Sequence, residues 1–231
     1  MPLTALPERA CRPRRLMMRS AVPAALFVLG VAALAVDVSV ARFCDVRQYP
    51  RFITDMFNNA EPFGHAAGVV LIAATVAVLD PQRRRWAASL CLCGALGGGL
   101  AANVVKLIVG RTRPRNFDFA LTSVAETFSG LFPFGAGGSA AQSFPSAHTA
   151  TATGLAVALT ALYPQGRWWF VTLAGLVAVH RVESSAHYPS DVCAGAMVGW
   201  LVGTLCVAIT ARMYPLRSEL TVAATEVRRA A

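Results

Sequence analysis

Long apolar stretches alternate with short polar segments along most of the chain. A helix needs about 20 consecutive apolar residues to cross the hydrocarbon core of a bilayer. Six stretches come close to this length or exceed it, over residues 21–40, 63–79, 86–109, 146–163, 168–182 and 189–209. The pattern therefore predicts an all-α fold, an integral membrane bundle of six transmembrane helices.

The composition supports a membrane protein and explains the positive charge. Hydrophobic residues make up 55% of the 231 positions and charged residues only 14%, whereas soluble domains carry about 25% charged residues. The net charge is +9 at pH 7, a balance that often indicates a nucleic-acid partner. Most of the arginines, however, lie in the short segments between apolar stretches, where they set the orientation in the membrane. We therefore expect a membrane environment and no nucleic acid.

The segments between the apolar stretches differ in character. The first stretch is longer than the apolar region of about 7–15 residues in a signal peptide, so an uncleaved first span is expected, with Asp37 near its end at the membrane interface. Residues 42–60 mix arginine, aspartate and aromatic side chains, which predicts a short helix lying in the interface. Residues 110–144 form a long loop between spans three and four. Loops of more than about 15 residues are usually functional.

Six spans place both chain termini on one side of the membrane. The segments on that side hold thirteen of the 21 lysines and arginines, and the opposite side holds eight. Since cytoplasmic loops carry the excess of positive charge, both termini are predicted to be cytoplasmic, in the inner (plasma) membrane. The expected organisation is a basic segment at 1–19, a six-span domain at 20–212 and a tail at 213–231. The outer ends of spans three to six then face the periplasmic or extracellular side.

Three polar clusters stand at the ends of these stretches and carry candidate chemistry. Crowded cations repel one another unless an anion lies among them, and a serine that opens a helix leaves backbone N–H groups for phosphate oxygens. An imidazole beside a carboxylate is held in one tautomer and becomes a better nucleophile or base. Alone, the third cluster would fit a helix-end salt bridge equally well. The clusters are Lys106, Arg113 and Pro114 in KLIVGRTRP, Pro145, Ser146 and His148 in SFPSAHTAT, and Arg181, His187 and Asp191 in HRVESSAHYPSD.

Together the three clusters resemble the signature of the type 2 phosphatidic acid phosphatase family. That signature reads Lys-x6-Arg-Pro, then Pro-Ser-Gly-His, then Ser-Arg-x5-His-x3-Asp, and nine of its eleven specified positions match. The two departures are Ala147 in place of glycine and His180 in place of serine. Alanine changes little where only the backbone N–H is used. His180 adds a second titratable ring beside the expected phosphate, so it is a further candidate site residue that bears on substrate range and pH optimum.

The resemblance implies a role for each matching residue. His187 would be the nucleophile that forms a phosphohistidine, Asp191 would orient it, and His148 would protonate the leaving oxygen and then activate water. The family is metal-independent, so neither a metal nor a cofactor is expected, and the six cysteines show no metal-site spacing. The implied substrate-binding residues are Lys106, Arg113, Ser146, Ala147 and Arg181.

Local sequence also predicts the backbone around the nucleophile. A proline disfavours helical geometry in the residue before it and is well tolerated in the first turn of a helix. Pro189 therefore places His187 just before the sixth helix and Asp191 in its first turn. The neighbouring cations are expected to keep His187 neutral at pH 7.

Other polar residues have open assignments at this point. His65, at the start of the second span, is expected to be an ordinary interfacial side chain. Glu183, Glu126 and Asp118 are candidate partners of Arg181, Arg111 or Arg115.

The predicted function is hydrolysis of a lipid phosphate or diphosphate. Candidate substrates are undecaprenyl diphosphate, phosphatidylglycerol phosphate, phosphatidate and a lipid A-type glycolipid. Two alternatives stay open: a phosphotransferase that passes the phosphate to another acceptor, and a non-catalytic lipid-binding or transport protein. The family also resembles vanadate-dependent haloperoxidases at the site, but these are soluble, and six apolar stretches argue against that class. The sequence predicts no oligomeric state.

Overall fold

The computed structural model describes residues 21–47, 49–134 and 136–230, with side chains described as far as residue 213. The predicted basic segment at 1–19 lies outside the described residues. Eight α-helices account for most of the described chain. They are α1 Ala21–Ala33, α2 Asp37–Val46, α3 Arg51–Ala60, α4 Ala66–Leu79, α5 Arg84–Lys106, α6 Ala147–Leu162, α7 Arg167–Glu183 and α8 Pro189–Ala230.

Helices α5, α6 and α8 pack backbone to backbone at the centre of the bundle. A Cβ atom placed on Gly199 of α8 would lie 2.1 Å from the carbonyl oxygen of Ala150 in α6, and one on Gly98 of α5 would lie 2.8 Å from the same oxygen. Small residues allow this close approach between membrane helices. Helix α6 runs antiparallel to α5 and parallel to α8. The end of α5 therefore meets the starts of α6 and α8.

Within the described residues, two helices are long and apolar enough to cross a membrane by themselves, α5 and the Pro189–Met213 part of α8. Two further pairs qualify only if each is one bent span: α1 with α2, bent by 72°, and residues 51–64 with α4, bent by 69°. Helices α6 and α7 have 16 and 17 residues. The described residues thus form a mostly helical membrane fold with two to four candidate spans, and the count of six stays a prediction.

Three segments differ from the predicted layout. The first apolar stretch is not one helix, because the chain bends between α1 and α2. Residues 42–60 form the end of α2 and all of α3, instead of a single interfacial helix, and Pro50 stands at the N-cap of α3. The sixth helix continues through most of the predicted tail, as far as Ala230.

The long loop contains a small sheet, so the prediction of an all-α fold is corrected to a mostly helical one. Strands β1 (Val109–Arg111) and β2 (Phe128–Leu131) pair antiparallel, with Gly110 opposite Gly130. The loop is fastened further by backbone hydrogen bonds from Arg113 to Ala140 (2.8 Å) and from Ser143 to Arg111 (2.9 Å). These contacts fix the loop directly beyond the end of α5.

Candidate active site

The charged and titratable residues of the three motifs lie at one end of the bundle. Their charges act on one another, so residues distant in sequence face a common space. They are Lys106 at the end of α5, Arg113 after β1, His148 at the start of α6, Arg181 in the last turn of α7, His187 between α7 and α8, and Asp191 in the first turn of α8.

His187 is held against a buried carboxylate. Its side chain is 2% exposed, and its backbone N–H donates to the carbonyl oxygen of Arg181 at 3.0 Å. The Nδ1 atom lies 3.7 Å from Oδ2 of Asp191, an ion-pair distance that is longer than a hydrogen bond. With Nδ1 directed at the carboxylate, Nε2 is the nitrogen left for attack. The predicted placement of His187 before the helix and Asp191 within it is confirmed.

The imidazole of His187 is neutral at pH 7. Burial is the main cause and lowers its pKa to about 4, with Lys106 and Arg113 lowering the pKa further and Asp191 opposing them. The expected neutrality is therefore supported, although desolvation contributes more than the cations that the sequence suggested. A neutral imidazole retains the lone pair that a nucleophile needs.

Ser146 caps α6 and joins it to α8. Its hydroxyl accepts hydrogen bonds from the backbone N–H and the hydroxyl of Thr149, at 3.4 Å and 2.9 Å. Its own N–H donates to the carbonyl oxygen of Asp191 at 3.0 Å. The predicted cap is confirmed, and the hydroxyl can still donate its proton to a phosphate oxygen. Ala147 follows as the first helical residue, where backbone N–H groups lack intrahelical partners.

The cations crowd around the same space. Lys106 is buried at 7% exposure. Arg113 donates from Nε to the carbonyl oxygen of Ser139 at 2.8 Å. Burial, with Arg115 and Arg181 nearby, lowers the pKa of Arg113. Positive groups in such proximity favour a bound anion, and a phosphate satisfies both the charge and the fork-shaped donors of arginine.

Glu61 is a site residue that the sequence did not indicate. Its Oε1 accepts a hydrogen bond from Nη1 of Arg181 at 2.7 Å and lies 3.8 Å from Nε2 of His148. The sequence pointed instead to Glu183, Glu126 or Asp118 as partners of the arginines. Glu61 precedes the second apolar stretch, far from every motif, so no local signal connected it with Arg181.

Two of these three acids, Glu126 and Asp118, have local roles. Glu126 forms a capping box with Ser123 at a short 3-10 helix. Asp118 accepts a hydrogen bond from the backbone N–H of Ala120 at 2.9 Å. Both are therefore occupied within the long loop itself.

Arg111 forms a buried ionic network behind His187. Its side chain is fully buried and donates from Nη2 to Asp37 at 2.7 Å and from Nη1 to Asp191. The guanidinium lies 4.4 Å from the centroid of the Phe128 ring and 4.1 Å from that of Tyr188. Arginine is suited to a position between two carboxylates and two aromatic rings, because its charge is delocalised and its guanidinium is flat. Arg111 thus fixes the carboxylate that contacts His187.

Asp37 completes this network as a buried side chain, whereas the sequence suggested only an ordinary residue at the membrane interface. The side chain is fully buried, and it accepts hydrogen bonds from Arg111 and from both the N–H and the hydroxyl of Ser190. The reason is the bend between α1 and α2, which carries Asp37 against the start of α8. A carboxylate within an apolar stretch is by default a candidate functional residue, and this signal could have identified it.

Comparison with known proteins matches the part of the chain that carries the three motifs. The family model of the PAP2 superfamily matches residues 86–214, a range that contains all three motifs. This chain belongs to the PAP2 superfamily. Its departures from the PAP2 pattern, Ala147 and His180, both lie within the matched range.

Several PAP2 relatives are named phosphatases. A lipid A 1-phosphatase from Rhizobium johnstonii is 36% identical over 55% of this chain and 49% of its own length. A decaprenylphosphoryl-5-phosphoribose phosphatase from Mycolicibacterium smegmatis is 36% identical over 57% of this chain and 64% of its own length. The chain spans about half the length of the two Rhizobium lipid A 1-phosphatases that it matches.

A solved PAP2 structure has the same fold. It is the crystal structure of a transmembrane PAP2-type phosphatidylglycerolphosphate phosphatase from Bacillus subtilis, with a TM-score of 0.58 and 18% identity. The similarity covers 83% of this chain and 97% of that chain. At this identity the comparison concerns the fold alone.

The two remaining histidines differ in their relation to the PAP2 site. His180 is buried in the last turn of α7, and among the described residues its ring forms no hydrogen bond with a site residue. His65 is exposed and caps α4, accepting from the N–H of Ala67 through Nδ1 at 3.3 Å. Its ring centroid lies 5.9 Å from that of His148. The structure thus places the His65 ring beside that of His148, whereas His180 interacts with Arg181 and Glu61 through charge alone.

Proposed function

We propose that this protein is an integral-membrane phosphatase that hydrolyses a lipid phosphate or diphosphate through a phosphohistidine, without a metal. The observation that carries the proposal is the neutral, buried His187, backed by Asp191 and bordered by Lys106, Arg113 and Arg181. The named activities of the PAP2 relatives support lipid-linked phosphates as the substrate class. Undecaprenyl diphosphate, phosphatidylglycerol phosphate, phosphatidate and lipid A-type glycolipids are the candidates.

In the first step the phosphate binds among the cations and the start of α6. Nε2 of His187 attacks phosphorus, a P–N bond forms, and the bond from phosphorus to the lipid oxygen breaks. The leaving oxygen takes its proton from His148. Lys106, Arg113 and Arg181 stabilise the charge on the equatorial oxygens, which is the main requirement of phosphoryl transfer. Asp191 stabilises the positive charge that develops on the ring of His187.

In the second step water hydrolyses the phosphohistidine. His148, now neutral, removes a proton from water, and the oxygen attacks phosphorus while the P–N bond breaks. Inorganic phosphate leaves and His187 returns to its neutral form, with His148 protonated for the next cycle. The Arg111 network keeps Asp191 in place through both steps.

The proposed topology has six spans, cytoplasmic termini and an outward-facing site. The distribution of the arginines supports this orientation. The common position of the motifs, at the end of α5 and the starts of α6 and α8, supports a single face of the membrane for all of them.

Phosphate release from purified protein tests the function. The panel consists of the four candidate lipid classes in detergent with EDTA, and wild type is compared with His187→Ala. We expect release that survives EDTA and falls by on the order of 10³-fold or more in the variant. After a rapid quench, radiolabelled substrate should leave an acid-labile phosphoprotein in wild type only.

Each alternative function has its own outcome. Lipid binding without release from any substrate would contradict the phosphatase and favour a binding or transport protein. Release that requires a second lipid or sugar, with the phosphate recovered on that acceptor, would favour a phosphotransferase.

A further inference from the structure

The short segment Glu61–His65, between α3 and α4, packs directly on the proposed site. It lies outside the residues that match the family model, which begin at residue 86. A Cβ on Gly64 would come within 2.8 Å of the carbonyl oxygen of His148 and of Cγ1 of Val177. Phe63 is buried in the apolar core. The segment is therefore fixed at both α6 and α7, and its glycine allows contact with the backbone of the motif histidine.

Glu61 forms an ion pair with one side of the Arg181 guanidinium. Nη1 donates to its carboxylate at 2.7 Å, and the arginine side chain is only 11% exposed. Nε of Arg181 is buried and has no hydrogen-bond partner among the described residues. An arginine held by one nitrogen keeps its remaining donors in a fixed plane, and these donors are suited to a phosphate.

The same carboxylate lies beside Nε2 of His148, at 3.8 Å. This distance is within ion-pair range but longer than a hydrogen bond, so the N–H of a protonated ring stays available to the leaving oxygen. Among the described residues, the charged or titratable groups that act most strongly on this ring add positive charge, or do so when protonated; they are Arg181, His187, His65 and Lys106. Glu61 places a negative charge at ion-pair distance from the same ring.

We propose that Glu61 is a positioning residue of the site, which orients Arg181 for the phosphate and favours the protonated form of His148 that acts as general acid. The inference rests on the proposed function. It adds to the motifs a residue from the connection that leads into α4, before the matched residues 86–214.

The test compares Glu61→Gln, Glu61→Asp and a matched control, Asp55→Asn, which removes an exposed carboxylate from the neighbouring helix α3. The substrates are a short-chain phosphatidate, whose alkoxide leaving group needs a proton, and p-nitrophenyl phosphate, whose leaving group does not. Initial rates are measured in detergent from pH 5 to pH 9, and thermal unfolding is recorded for each variant.

For Glu61→Gln we expect kcat on phosphatidate to fall about 10-fold or more, with a much smaller loss on p-nitrophenyl phosphate. The alkaline limb of the phosphatidate profile should move about one pH unit lower, because the protonated ring loses its counter-charge. Glu61→Asp should recover part of the activity, and Asp55→Asn should match wild type.

Equal losses on both substrates, or an unchanged pH profile in Glu61→Gln, would overturn the role in proton donation. If Glu61→Gln matched wild type while His187→Ala stayed inactive, the inference would fail and the phosphatase would stand. If wild type released phosphate from neither substrate nor from the lipid panel, the proposed function itself would fail.

Discussion

At the scale of single residues, buried side chains outside the three motifs hold the motif residues in place. Asp191 contacts His187, but its position depends on Arg111, and Arg111 in turn on Asp37. A buried ion network of this kind is costly to break, since removing one partner leaves an uncompensated charge. The motif residues therefore rely on side chains that no signature includes.

Asp37→Ala should destabilise the protein by about 3 kcal/mol, because Arg111 stays buried with one carboxylate fewer. Asp37→Asn should cost less, since the amide oxygen can still accept hydrogen bonds from Arg111 and Ser190. Unfolding of purified protein in detergent measures both. The exposed Asp118→Asn serves as the control, and equal stability of all three variants and wild type would contradict the network.

The buried His187 should make stability depend on pH. Its pKa is about 4 in the folded protein and 6.5 when unperturbed. Between these two pH values the unfolded chain binds one more proton than the folded protein. The contribution of His187 to stability is therefore fully present above about pH 6.5 and is lost as the pH falls to about 4. Across this pH range the free energy of unfolding changes by about 3 kcal/mol because of His187.

A comparison with His187→Asn isolates this contribution from the carboxylates that titrate in the same range. Wild type should lose more stability than the variant between pH 7 and pH 4.5, measured by thermal unfolding in one detergent. If stability changed with pH to the same extent in both proteins, the His187 ring would not be desolvated in the folded state.

At the scale of elements, close helix packing places the three motifs together. Helices α5, α6 and α8 approach at glycines, and backbone contacts leave no room for side chains between them. Small shifts at these crossings would displace Lys106, His148 and Asp191 relative to one another. The glycines thus position the proposed site through helix packing, and Gly195 of α8 lies directly against the backbone of Ser146.

Gly199→Ala should therefore reduce both stability and activity. The added Cβ would lie 2.1 Å from a backbone carbonyl of α6, and backbone must move to accommodate it, at a cost of about 1–3 kcal/mol or more. Gly175→Ala on α7 is the matched control, since a Cβ there meets nothing within 4 Å. Phosphate release and unfolding temperature are compared, and equal behaviour of the two variants would contradict close packing at Gly199.

At the scale of the whole molecule, the proposed orientation separates two exposed sites across the membrane. Phe134, in the long loop, is 77% exposed, and Gln82 lies in the exposed turn between α4 and α5. The topology puts the first outside and the second in the cytoplasm. Positive charge beside the turn, at Arg83, Arg84 and Arg85, agrees with a cytoplasmic position.

Cysteine labelling tests this orientation in whole cells. Phe134→Cys should react with a membrane-impermeant maleimide in spheroplasts, whereas Gln82→Cys should react only after permeabilisation. Wild type with its native cysteines gives the background. If only Gln82→Cys were labelled from outside, the orientation would be the reverse of the proposed one. If both variants were labelled from outside, an odd number of spans between the two positions would be excluded.

The sequence by itself determined the membrane class, most helix positions and the motif residues. Runs of apolar residues reveal helices because the bilayer imposes their length, and Pro189 and Ser146 fix local backbone within a few residues. Only the tertiary structure decided which distant side chains meet. Arg111 and Asp37 are 74 residues apart, and Arg181 and Glu61 are 120 apart. Such pairs follow from how helices bend and pack, and that packing is not encoded in any local pattern.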